Sequence, residues 1–318
     1  MNNLSLSQVL NADFRLNPRP VLRPFDSFVV ADPSLLTPDS SPDGKFHMFF
    51  HTNIAVYDFV SSDGLTFTKF NKIVSNAMRP NINKADDGYC LFYEKTRSVF
   101  ANLLNFIGIA KWHSEIYAVK SSDLVTWSEP ERVLSSANGF EKFNKGSSLS
   151  NPFLLNENGR NRLYFSCGLT YIKDCRFCEP TYIFSAESDK LTSGYTVNEK
   201  PVISPDKNDP YLNLCSGCLK VYRLKDGYLG IQNGIYEKDG KSHSAILMLS
   251  SDDGIKFKFE KVMLEPGGAP WLAQFVYASH LINYNGKLRL YFNARDTSNP
   301  VKGKECIGFI EADITDEV

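Results

Sequence analysis

One short motif recurs four times along the chain, as SSDGLTF from Ser61, SSDLVTW from Ser121, SAESDKLTSGY from Ser185 and SSDDGIKF from Ser250. Each copy sets small polar and acidic residues at a bend, with alternating apolar residues on either side. Asp and Gly tolerate the tight backbone of such a bend. Each copy therefore reads as the hairpin joining the two outer strands of a repeated sheet. The segments ahead of the motif match as well. ADPSLL (from Ala31), MRPNIN (from Met78), SNPFLL (from Ser150) and CSGCLKVY (from Cys215) each lead to a second strand. Those second strands are FHMFFHT (from Phe46), GYCLFYEK (from Gly88), RLYFSCG (from Arg162) and GYLGIQNG (from Gly227). A fifth unit starts at Tyr277 and ends on the strand CIGFIEADI.

Radial repetition of short strands predicts an all-β, five-bladed β-propeller spanning 1–318 as a single domain. The blades are expected at about 31–75, 78–135, 148–204, 212–265 and 275–315. The last unit is one strand short, so residues 1–30 are expected to help close the ring. An irregular β-sandwich with look-alike hairpins is the alternative. The apolar stretch between Ser98 and Trp112 reads as a short helix or a loop over the rim.

The formal net charge of −1 gives no electrostatic argument for nucleic acid or an anionic membrane surface. No window has the ~18 consecutive apolar residues of a spanning helix. The start, MNNLSLSQVLNADFRL, lacks a basic segment followed by an apolar one, so a cytoplasmic location is expected. Oligomeric state is not readable.

Seven cysteines are present. Cys175 and Cys178 form one Cys-x-x-Cys pair, and Cys215 and Cys218 another. Two such pairs offer four thiolates to Zn²⁺, in a closed structural site or, if one ligand leaves, an open catalytic one. Disulfides or buried thiols are the alternatives. Cys90, Cys167 and Cys306 fall within strands and read as core.

The run VADPSLL, then FHMFFHT, then SSDGLTF resembles the first blade of glycoside hydrolase family 43 and its invertase and levansucrase relatives. The resemblance implies three axial carboxylates: an Asp opening blade one, an Asp opening blade three and a Glu opening blade four. Asp32 matches the first, as general base or nucleophile. At the second this chain carries Asn151, and at the third Cys215-Ser216-Gly217-Cys218. Glu94, Glu179 and Glu265 are the remaining acid candidates, with Glu179 placed first.

In a propeller, the starts of the inner strands share a face with the ends of the second strands. Asp32, Arg79, Asn151 and Ser216 are expected there with His51, Glu94, Lys95, Arg97, Glu179, Arg295 and Asp296. His280, on the innermost strand of blade five, is expected to point into the channel. Such a funnel, carrying both charge signs, suits a small carbohydrate or related polar ligand. Three functions stay open: hydrolysis of a furanosyl or pentose-type glycoside, sugar binding without turnover, and zinc- or cysteine-dependent chemistry on another small metabolite.

Overall fold

The computed structural model describes residues 1–25, 27–98, 111–299 and 302–314, and its architecture is a five-bladed propeller of antiparallel sheets. Blade one runs, from the axis outward, through Ala31–Leu36, Phe46–His51, Ala55–Ser61 and Thr68–Ser75. Blade two uses Ala77–Ala85, Gly88–Thr96, Trp112–Ser121 and Glu131–Leu134, with a small hairpin (Lys142–Phe143, Gly146–Ser147) laid beside its third strand. The apolar stretch expected to cover the rim falls mostly at 99–110, outside the described residues. Blade three is Leu149–Glu157, Arg160–Ile172, Phe177–Ser188 and Thr196–Val197. Blade four is Leu219–Leu224, Gly227–Lys238, Lys241–Ser251 and Lys258–Leu264.

Blade five holds Phe275–Tyr284, Lys287–Arg295 and Glu305–Asp313, and takes its outermost strand, Arg15–Leu16, from the N-terminal segment. Each innermost strand touches those of both neighbours, from 31–36 round to 275–284 and back, so the ring is closed. Among the described residues, no helix is long and apolar enough to cross a membrane.

The recurring motif has a plain chemical basis. Ser61 Oγ accepts the Gly64 N–H at 2.9 Å, and Asp63 Oδ1 accepts those of Leu65 and Thr66 at 2.7 and 2.9 Å. Ser121 with Asp123, and Ser251 with Asp253, repeat the pattern. The turn needs a left-handed residue, supplied by Gly64 and Gly254 (φ 71° each) and by Leu124 (φ 63°). In the third copy Ser188 Oγ instead donates to the Ser193 carbonyl at 2.6 Å. These turns also tie the ring. Tyr291 donates to the Gly64 carbonyl and Tyr164 to that of Gly254, each at 2.7 Å and each from the preceding blade.

The core lies between blades, where second strands stack fully buried aromatics such as Phe49, Phe92, Phe165 and Phe292. Burying a side chain of that size contributes about 1.5–3 kcal/mol. Cys90, Cys167 and Cys306 are buried in strands of the same layers.

Candidate active site

The innermost strands begin with a shared irregularity. Register slips between Ala31 and Ser34, Met78 and Asn81, Ser150 and Phe153, and Val276 and Ser279. Inside three of these bulges a residue before proline is left-handed: Asp32 (φ 55°), Arg79 (φ 52°) and Asn151 (φ 49°). Non-glycine residues avoid that region, and such outliers gather at functional sites. In blade four the left-handed residue is Gly217 (φ 61°), where a Cβ would run into the Asn233 carbonyl. Ser216, expected at the axis, is instead sealed, its N–H bonded to the Thr181 carbonyl and its Oγ without a partner. In blade five the bulge carries Tyr277.

Asp32 is held by hydrogen bonds from both its side chain and its backbone. Its Oδ2 meets His51 Nε2 at 2.7 Å, and His51 Nδ1 faces the Thr52 carbonyl at 3.0 Å. Both ring nitrogens therefore face oxygen atoms that can accept. Burial opposes ionisation of Asp32. The hydrogen bond and charge of His51, with Arg79 and Lys220 nearby, outweigh it and hold the carboxyl below the usual carboxylate range. The Asp32 N–H donates to Asn293 Oδ1 at 3.2 Å. Asn293 in turn donates to Glu305, which also takes a bond from Arg295 at 2.8 Å. A chain of three side chains from blade five thus fixes the strained turn in blade one.

Glu179 behaves oppositely. It lies within the third strand of blade three, opposite Thr170, rather than in a loop. Ile172, Phe177, Ile235, Phe275 and Tyr277 line a small cavity against it. Burial pushes its carboxyl up to about 8; Arg79 and Arg295 oppose the rise, while Glu305 and Asp32 add to it. Burial thus favours the protonated form of Glu179, and the partners of Asp32 favour its ionised form.

Arg79 donates to Glu94 Oε2 and stays protonated, burial being outweighed by Glu94 and Asp32. Glu94 is completely buried, with Oε2 in that ion pair and Oε1 without a partner. Lys95, on the opposite side of its strand from Glu94, lies over the Tyr117 ring at 4.5 Å. Arg97 is exposed. Arg295 also donates to the carbonyls of Thr297 and Asn299, both at 3.0 Å. Asp296 accepts the Lys304 N–H at 2.9 Å and braces the same loop. Glu265 is exposed and bound to Tyr236, away from the other acids. His280 Nδ1 meets Ser34 Oγ at 3.2 Å, and burial together with Lys220 pushes its pKa down to about 3, leaving it neutral.

The four paired cysteines fall into two settings. Among the described residues, no three His, Cys, Asp or Glu side chains are grouped as a metal ion requires. Cys175 and Cys215 join Ile172, Ile235 and Phe275 in an apolar cluster, and Cys175 Sγ accepts from Ser242 at 3.8 Å. Cys218 faces the other way, into the field of Lys220, Asp32 and Arg79. Burial raises all four thiols, Cys175 to about 11 and Cys218 to about 12, which disfavours the thiolate.

Sequence reasoning missed Tyr277, Asn293, Glu305 and Lys220. Only Lys220 left a signal, a lysine between Leu219 and Val221 on an innermost strand.

No family model matches the sequence, and no curated protein matches it. Solved structures do. BT0996, in a complex with RGII, superposes with a TM-score of 0.70 at 11% identity, over 96% of this chain and 94% of that protein. An endo-arabinase from Bacteroides thetaiotaomicron gives 0.59 at 15% identity, covering 96% and 98%. An α-L-arabinofuranosidase from Lactobacillus brevis gives 0.60 at 11% identity, covering 89% and 92%. The chain shares its five-bladed fold with these proteins.

Proposed function

We propose that the protein is a glycoside hydrolase acting on a terminal furanosyl, pentose-type unit seated in the axial pit. The observation that carries this reading is Asp32, held in a left-handed turn at the head of an innermost strand and bonded to His51 at 2.7 Å, with Glu179 in its field against an apolar wall. Paired carboxyls whose surroundings push their pKa values apart supply the acid and the base of glycoside cleavage. Glu179, kept protonated by its apolar wall, gives its proton to the leaving-group oxygen. Asp32, kept ionised by His51, acts on the anomeric side as base or nucleophile. Arg79 fixes the field between them, and its own charge is neutralised by Glu94. The furanosyl preference is supported by the shared fold with an arabinase and an arabinofuranosidase.

A panel of aryl furanosides and pyranosides tests this reading. Turnover of an α-L-arabinofuranoside or related furanoside is expected, with Asp32→Asn at least a hundredfold slower. Sugar binding by calorimetry with no turnover of any glycoside would instead support the non-hydrolytic reading. That alternative is favoured by the neutral Asn151 and by Gly217 at the blade-three and blade-four positions.

A further inference from the structure

Lys220 is only 4% exposed, yet among the described residues no salt bridge or hydrogen bond engages its ammonium. Lysines are almost never buried unless paired, because a desolvated charge is costly. The surrounding ionic groups are already matched: Arg79 with Glu94, Arg295 with Glu305, and Asp32 with His51. The Lys220 ammonium stands over the Phe153 ring, 5.4 Å from its centroid. His280, held neutral, and Tyr222, whose hydroxyl takes the Leu281 N–H, complete the wall. The sealed, partnerless polar atoms of the described residues are Asp58 Oδ1, Tyr93 OH, Glu94 Oε1, Ser216 Oγ and Gln232 Oε1. Lys220 Nζ is not one of them, and its charge lies on an innermost strand in the field of Asp32.

A ligand group between an ammonium and a carboxylate must accept from one and donate to the other, as a hydroxyl does and a carboxylate or an amine does not. We propose that Lys220 is a positioning residue that donates to the sugar hydroxyl next to the anomeric carbon, O2, while that hydroxyl donates to Asp32. The inference rests on the glycosidase reading above. A carboxylate acting at the anomeric carbon lies within reach of O2, and hydrogen bonds to that hydroxyl strengthen in the transition state of glycoside cleavage. Lys220 then directs its donors to the substrate, which accounts for a buried charge with no protein partner.

The test compares wild type, Lys220→Met and Lys220→Arg on 4-nitrophenyl α-L-arabinofuranoside and on its 2-deoxy and 5-deoxy analogues. Lys220→Met should melt at or above the wild-type temperature, since it removes a buried charge without orphaning a counter-ion. On the parent and 5-deoxy substrates its kcat/KM should fall about 10- to 100-fold, the weight of one charged hydrogen bond. On the 2-deoxy substrate the loss should be less than about threefold, because the partner is already gone. Lys220→Arg should recover part of the loss on the parent compound. Equal losses on all three substrates, or none, overturn the proposal, and so does a Lys220→Met chain that fails to fold. Wild type inactive on every furanoside removes the glycosidase reading itself and the role of Lys220 with it.

Discussion

Two Asp–His pairs share the strand Phe46–His51, and their difference separates support from chemistry. His47 Nδ1 meets Asp58 Oδ2 at 2.7 Å, the same distance as His51 Nε2 to Asp32 Oδ2. They sit about 13 Å apart along one strand face. At His47 a second carboxylate, Asp43, takes the other ring nitrogen at 3.1 Å. Burial works against the charged imidazole there, but the two acids outweigh it and raise its pKa. Asp58 has no exposure, and burial pushes its carboxyl up to about 6, with His47 opposing and Asp43 adding. This pair is closed on itself and stitches the second strand to the third. At His51 the acid stands in a left-handed turn with Arg79 and Lys220 in its field. The hydrogen bond is equivalent at both ends; what differs is whether the carboxylate has an opening to work through.

The comparison breaks most sharply under substitution. Asp32→Asn should cost about a hundred- to ten-thousandfold in kcat on an aryl furanoside, with a melting temperature near wild type. Asp58→Ala should do the reverse, leaving kcat within a few-fold of wild type. It should cost about 3–5 kcal/mol in urea unfolding, because His47 loses a buried partner. Turnover lost equally in both variants would erase the distinction.

Acidity sharpens the same contrast. A histidine whose pKa rises on folding adds stability that is full below its unfolded value, about 6.5, and is lost as pH rises through the higher folded value. The stability gap between wild type and His47→Gln, measured by denaturant titration from about pH 5.5 to 9, should therefore be widest at the acid end. A gap that grows with pH contradicts the His47 assignment. The smallest effect belongs to the repeat. Ser251→Ala removes a bond to the Gly254 N–H and should cost about 1 kcal/mol with unchanged kcat/KM.

The fold was legible because four copies of one turn had to be served by the same Ser and Asp chemistry, and because second strands alternate aromatics toward their neighbours. Asp32 and Arg79 were legible from the same rhythm, each standing before a proline at the head of an innermost strand. Glu179 was expected in a blade-three loop beside the place of the family's acid, and a strand carries it instead. Ser216 was misplaced by one residue because the left-handed turn in blade four is made by Gly217. Cysteine spacing gives separations and not directions: Cys218 turns toward the axis while Cys175 and Cys215 turn into apolar packing. Asn293 and Glu305 act on Asp32 across the ring closure, about 260 residues away in sequence, and no local pattern announces such a contact.

The central claim is that Asp32 and Glu179 divide base and acid between them, and the pH dependence of kcat/KM on a slow-leaving arabinofuranoside tests it most directly. Wild type should give a bell whose alkaline limb falls near pH 8, where Glu179 loses its proton. Glu179→Gln should abolish that limb along with most of the rate. An alkaline limb that persists unchanged in Glu179→Gln, at undiminished rate, would contradict the account.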